Sequence, residues 1–269
     1  MSDNAAAFVG NVPQYYDRDV GPVLFADFAD DLARRAAAIS PARILETAAG
    51  TGILTRRLRD LLPATARLVA TDLNPPMLET AKTKFAAGEK IAFDQADATA
   101  LPFGDGDFDA VCCQFGVMFF PDKAKSYQEV RRVLAPGGAY LFSVWDAHRY
   151  NSFGRIIHDV IASSFPTEPP RFFEVPFAYH AIDPIKEALA NAGFADLRVS
   201  VLNQIGVVSN ISPFSRAMIY GSPVFDQIGA RGGNPDTIVA AVDAALRQEC
   251  GSNPTRLPLQ IIVFEATRP

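Results

Sequence analysis

The segment that most constrains this chain is Ile44-Leu45-Glu46-Thr47-Ala48-Ala49-Gly50-Thr51-Gly52, together with the apolar pattern directly after it. A short apolar run closes on a carboxylate. A turn of small residues comes next, and then Ile53, Leu54, Leu58 and Leu61 recur as on one face of a helix. Strand, tight turn and helix form the first unit of an open α/β sheet. The small side chains let a ligand touch backbone, and glycine also accepts positive φ. The helix start adds unpaired N–H groups and a partial positive charge suited to a ligand anion.

A second strand, Arg67-Leu68-Val69-Ala70-Thr71-Asp72, also ends in a carboxylate. It falls about twenty residues after the turn, the spacing at which an acid meets a ribose diol in doubly wound folds. A dinucleotide fold would continue as Gly-x-Gly-x-x-Gly. Here Gly50-Thr51-Gly52 runs into Ile53, Leu54 and Thr55, so the third glycine is missing and the turn is a poor pyrophosphate cradle.

The pattern then continues. A helix is expected from Val23 to Ile39, with Leu24, Phe28, Leu32 and Ala36 on one face, and helices over 53–62, 75–85 and 123–134. Strands are expected at 43–47, 67–71, 91–94, 108–114 and 139–145. The 108–114 strand is continuously apolar, as a central parallel strand should be. Pro136-Gly137-Gly138 is expected to end the helix before the fifth strand. Beyond Trp145 the chain is less regular. It has aromatics and prolines over 148–179, a helix at 183–192 closed by Gly193, a strand over 196–208, broken helices over 212–251 and a last strand at 257–266.

The length of 269 residues allows one large α/β domain with inserted caps. A formal net charge of −5 gives no basic field for nucleic acid or an anionic membrane. There is no apolar run long enough to span a bilayer and no basic n-region before an apolar core at Met1-Ser2-Asp3-Asn4, so a cytoplasmic protein is expected. Cys112, Cys113 and Cys250 suggest neither a disulfide framework nor a metal site.

With these residues in view, the chain resembles the class I S-adenosylmethionine-dependent methyltransferases, most of all the group related to the quinone-biosynthesis C-methyltransferases. The likeness is carried by the first turn and by Thr71-Asp72-Leu73-Asn74-Pro75-Pro76-Met77-Leu78. It continues in Asp94 to Phe103, in Phe108-Asp109-Ala110-Val111 through Phe120-Pro121-Asp122, and in Arg132 to Gly138. Together these cover roughly residues 40 to 146. The resemblance implies a Rossmann-like, doubly wound, seven-stranded sheet of order 3-2-1-4-5-7-6, with the last strand antiparallel and helical cap insertions. On that reading residues 1–269 are a single domain. Its core lies at about 40–146, 181–208 and 256–269, and its caps at about 1–39, 147–180 and 209–255.

The resemblance also implies S-adenosyl-L-methionine as cofactor and a small, apolar or aromatic methyl acceptor. Asp72 would accept from the ribose hydroxyls, or serve as a strand-end carboxylate capping the next helix. Gly50 and Gly52 would let backbone approach the methionine part, and Glu46 would face its amino group. Asp97 and the Ala98 N–H would meet the adenine, with an Asx-turn as the alternative for Asp97. Leu73 and Met77 would touch the adenosine or serve as core, and the Gln114 carbonyl would hold the methionine amine. The family usually has glycine where this chain has Ala48, which is expected to be tolerated at negative φ. Catalysis needs little beyond alignment. Weak candidates for a base are Tyr16 and His148, then His158 and His180, and Tyr16 is alternatively part of an N-terminal lid. Phe153, Phe165, Phe172, Phe173, Phe177, Phe214 and Phe225 suggest an apolar acceptor pocket or the small cores of the caps. Two other readings stay open, a cofactor-binding protein without transfer activity and a nicotinamide-dependent oxidoreductase.

Overall fold

Alternating strand and helix signals up to Trp145 become alternating strands and helices in a computed structural model, which describes residues 5–10 and 12–269. The chain opens with α1 (Val12–Tyr15), a π-helical turn (Tyr16–Val20), α2 (Gly21–Leu24) and α3 (Ala26–Ala38). After these come β1 (Arg43–Glu46), α4 (Ile53–Leu61), β2 (Arg67–Asp72), α5 (Pro75–Lys82), β3 (Ile91–Gln95) and β4 (Phe108–Gln114). Next are α6 (Lys123–Val133), β5 (Leu134–Trp145), α7 (Ser152–Ser164), α8 (Val175–Ala178), α9 (Ile182–Asn191) and β6 (Ala195–Val208). The last elements are α10 (Ile211–Tyr220), α11 (Val224–Ala230), α12 (Pro235–Cys250) and β7 (Thr255–Thr267).

The strands form one seven-stranded sheet of order β3-β2-β1-β4-β5-β7-β6. Neighbours from β3 to β5 pair in parallel, while β7 runs antiparallel to both β5 and β6. The expected order and the antiparallel last strand are both found. The strand order reverses between β1 and β4. At such a switch point the loops leave in opposite directions and open a crevice at the carboxyl ends of the strands. The central strands read apolar because both their faces are covered, and Phe108, Ala110, Val111, Cys112 and Cys113 are fully buried in β4.

Two expectations change. The sequence assigns region 1–39 to a cap, yet α3 buries Phe28, Ala29, Leu32, Ala33 and Ala36 in the main core and packs against α4, β4 and β5. A helix with one continuous apolar face is most stable on a sheet, and this one covers the sheet instead of the crevice. The second change concerns Pro136-Gly137-Gly138, which lies within β5 and not before it. Phe108 pairs with Leu134 and Ala110 with Ala139, so the intervening residues bulge. They are held by Gly137 N donating to Arg268 O at 2.7 Å and Arg268 N donating to Gly138 O at 2.8 Å.

Beyond β5, helices α7, α10 and α12 pack on one another, and the segment from α10 to α12 is inserted between β6 and β7. Residues of α7, α10 and the N-terminal turns line an apolar space next to the crevice. No helix among the described residues is long and apolar enough to cross a membrane.

Candidate functional site

The turn after β1 is built from alternating left-handed residues: Ala48 at φ 52°, Gly50 at φ 56° and Gly52 at φ 78°. The expectation of negative φ at Ala48 is therefore wrong. Alternation of this kind aims successive amides toward one side, the geometry of an anion-binding nest. Here Ala49 N donates to Thr71 O at 2.8 Å, and Gly50 N donates to Asp72 Oδ2 at 2.8 Å. Holding those amides on the end of β2 outweighs the roughly 1–2 kcal/mol that a left-handed alanine costs.

Asp72 is buried at 7 % exposure. Besides Gly50, its Oδ1 accepts from Asn74 N at 2.8 Å and from Asn74 Nδ2 at 3.3 Å. Burial raises its pKa, against the lowering effect of these hydrogen bonds. Asp72 thus ties the first turn to the start of α5, and it lines a cleft at the ends of β1, β2 and β4 that holds about 840 Å³ of space and opens to solvent.

That cavity brings together Ala48, Gly50, Asp72, Leu73, Met77, Asp97, Ala98 and Gln114 from sequence positions far apart. Leu73 is half exposed on its rim, whereas Met77 is buried. Asp97 makes the Asx-turn expected as its alternative, with Oδ1 accepting from Thr99 N and Thr99 Oγ1, both at 2.8 Å. Gln114 is anchored by its Nε2 donating to Phe25 O at 3.0 Å. Gly52 does not line the cavity. A Cβ there would stand 2.8 Å from the Ala81 Cβ, so its glycine serves close packing of the turn on α5.

Glu46 opens instead on a smaller adjoining space, shared with Tyr16, Gly50, Gln114 and Phe115. It is 1 % exposed and its Oε2 has no hydrogen-bond partner among the described residues. Burial pushes its pKa up to about 8, the nearby Thr55 hydroxyl opposes that rise, and the charge on Asp72 adds to it. A buried carboxyl oxygen without a partner is costly unless a cation or donor arrives.

A second, apolar cavity of about 560 Å³ lies under the helical segments. Phe153, Phe172, Phe173 and Phe177 line it, as the apolar-pocket reading expects. The other three phenylalanines do not. Phe214 is core, Phe165 packs partly buried against it, and Phe225 sits 4.9 Å from the Tyr220 ring. Tyr16 lines both cavities. Its phenol is held well above its ordinary pKa by burial and by the charges of Asp72 and Asp17.

His148 is not at the site. Its ring lies 4.4 Å from that of Phe177, and its Nε2 bonds Phe173 O at 2.8 Å, which places it behind the cavity wall. Burial lowers its pKa. His158 approaches Glu174 at 4.0 Å and His180 Nδ1 bonds Phe177 O at 2.8 Å, and neither lines a cavity. These histidines fasten the cap helices, a role their sequence positions do not distinguish from catalysis.

Phe115, absent from the expected residues, lines both cavities and the space beside Glu46. Its φ is 54°, its N donates to Ser143 O at 3.1 Å, and its ring stacks on Trp145 at 4.5 Å. The signal available in the sequence was its place directly after a buried strand and before Gly116. A Cβ on Gly116 would meet the Ala48 Cβ at 2.4 Å and Cys113 Sγ at 2.7 Å. Gly116→Ala is therefore expected to destabilise the fold by about 1–3 kcal/mol through overpacking. Adding Ala48→Gly should restore part of the loss. Urea unfolding of the single and double variants checks this, and a fully additive pair would show that the two positions do not touch.

Residues 44–138 match the family model described as a methyltransferase domain. The demethylmenaquinone methyltransferase of Thermus thermophilus is 43 % identical over 118 residues, 44 % of this chain and 53 % of that protein. The ubiquinone/menaquinone biosynthesis C-methyltransferase of Hahella chejuensis is 39 % identical over 103 residues, 37 % of this chain and 41 % of that one. The chain thus spans about half the length, or less, of these curated relatives. The crystal structure of the YcgJ protein from Bacillus subtilis superposes with a TM-score of 0.59 at 18 % identity, covering 90 % of this chain and 98 % of that one. At that identity the likeness is one of fold. The resemblance to class I methyltransferases holds over the stretch of chain where the sequence motifs placed it.

Proposed function

We propose that residues 1–269 form a single S-adenosylmethionine-dependent methyltransferase domain acting on a small, flat, apolar ring. The observation that carries this reading is a polar cavity at the strand ends that adjoins an apolar aromatic one.

The residues present fit the cofactor. Asp72 lines the cavity, and with Oδ1 taken by the two nitrogens of Asn74, Oδ2 beside its bond from Gly50 N is the oxygen left to accept from a ribose hydroxyl. The unpartnered Oε2 of Glu46 suits an ammonium group. Asp97 and Ala98, which line the same cavity as Leu73 and Met77, would meet the adenine edge. The Gln114 carbonyl and the Gly50 backbone, from residues that line the cavity, would hold the methionine portion. When bound, S-adenosyl-L-methionine would supply a methyl group activated on sulfur, the C–S electron pair staying on sulfur as an electron pair of the acceptor ring forms the new bond.

The chain's own task is alignment and exclusion of water. The apolar cavity carries no free base among its lining side chains. Ser222 Oγ is committed to Met218 O at 2.9 Å, and the Tyr16 hydroxyl stays protonated at neutral pH. The acceptor must therefore bring its own nucleophile and lose its own proton to solvent before it is enclosed. An electron-rich ring such as a hydroquinone meets that condition, and it agrees with the names of the quinone-methylating relatives. The test is incubation of the full chain with methyl-labelled cofactor and a panel of hydroquinones, phenols and amines. Label on a ring carbon of the hydroquinones is expected, with a pH profile that tracks the acceptor's own pKa. Cofactor binding without transfer to any electron-rich ring would discard this acceptor class and favour the binding-only reading.

A further inference from the structure

Phe8, Tyr16, Phe115 and Phe119 line both cavities and so mark their boundary. Their rings are in contact. Phe115 lies 5.4 Å from Phe25, Phe25 stacks on Tyr16 at 5.0 Å, Tyr16 meets Phe8 at 6.1 Å, and Phe8 meets Phe119 at 5.7 Å. The 3-10 turn Val117–Phe119 joins the two ends of this row, Phe115 and Phe119, through the backbone. The ring of Phe115 is fixed by its left-handed backbone and by stacking on Trp145. No carboxylate lines the apolar cavity, and Asp72 and Asp97 belong to the polar one alone. Aromatic faces attract weakly hydrated cations through the ring quadrupole, more strongly when water is excluded, and here they would add to the field of Asp72 on the polar side.

Resting on the cofactor reading above, we propose that this aromatic collar holds the positive sulfonium and makes the protein discriminate the charged cofactor from its neutral thioether product. During transfer the C–S bond breaks, the electron pair stays on sulfur, and the positive charge leaves with the methyl group for the acceptor. The thioether left behind has no charge for the rings to attract. The collar therefore favours exchange of spent product for fresh cofactor.

The test is calorimetric binding of S-adenosylmethionine and of S-adenosylhomocysteine to the full chain and to Phe8→Leu and Phe119→Leu. Both rings are only partly buried, so these variants should keep the fold. Affinity for the charged ligand is expected to fall about fivefold to thirtyfold, and affinity for the neutral one by less than about twofold. Equal losses for the two ligands would overturn the proposal. Should either variant unfold, mono- to trifluorinated phenylalanine at position 119 keeps the ring's shape and drains its face of negative charge. A stepwise decline for the charged ligand alone supports the collar, and a flat series overturns it. A wild-type chain that binds neither ligand would instead refute the cofactor reading, a distinct failure.

Discussion

Asp72→Ala is expected to weaken S-adenosylmethionine binding by about tenfold to a hundredfold, the equivalent of losing charge-assisted hydrogen bonds worth about 1.5–3 kcal/mol. The structure adds a second consequence. The same carboxylate accepts from Gly50 N and Asn74 N, so alanine also leaves two turn amides without their acceptor. Stability should fall by about 1–3 kcal/mol, and part of the affinity loss will come from a loosened turn. Asp72→Asn separates the effects, because its amide oxygen still accepts from one of the two backbone amides while the negative charge is gone. Calorimetry and urea unfolding of both variants check this. Unchanged affinity in Asp72→Ala would remove Asp72 from the site.

The second large effect is a dependence on pH set by Glu46. Its pKa stands near 8 in the free protein, so near neutral pH it is mostly protonated. A bound ammonium favours the carboxylate, and binding then releases a proton whenever the pH lies below about 8. Cofactor affinity should rise up to about tenfold per pH unit on approach to that value and level off above it. Glu46→Gln should flatten the profile. A wild-type affinity that does not change through this range would show that Glu46 stays away from the ligand's charge. The free protein should behave in the opposite sense. A carboxyl whose folded pKa exceeds its unfolded value favours the folded state most below the unfolded pKa. That contribution is lost as pH rises from about 4.5 through about 8. Thermal unfolding of Glu46→Gln against wild type across that window checks it.

Much of this protein is legible in its residues alone. The parallel half of the sheet can be read because each strand is an apolar run closed by a turn signal, and each helix shows its face within a few turns. The residues proposed to hold the cofactor are legible for a related reason. They sit at strand ends, where a sheet brings together positions as remote as Gly50, Asp72, Asp97 and Gln114. Sequence alone marks them as termini of strands β1 to β4, and an open α/β sheet places its ligands at that edge.

Other features depend on contacts between segments that no local pattern records. Ala48 takes a left-handed φ because Thr71 and Asp72 draw the next two amides toward β2, so tertiary hydrogen bonds outweigh alanine's own preference. Gly52 is held to glycine by Ala81 lying against it and by its own left-handed φ of 78°. His148 is a fastening behind Phe173 and Phe177. Phe115 gains its place between the cavities from the stack on Trp145 and the bond to Ser143 on the neighbouring strand. The sequence by itself thus determined the order of elements and the acidic and glycine positions at the strand ends. Periodicity and turn chemistry act within a few residues, and they are written there. The tertiary structure alone decided which aromatics enclose a cavity, which backbone carries strain and which carboxyl is left without a partner. Those properties are set by whatever packs opposite, across the whole length of the chain.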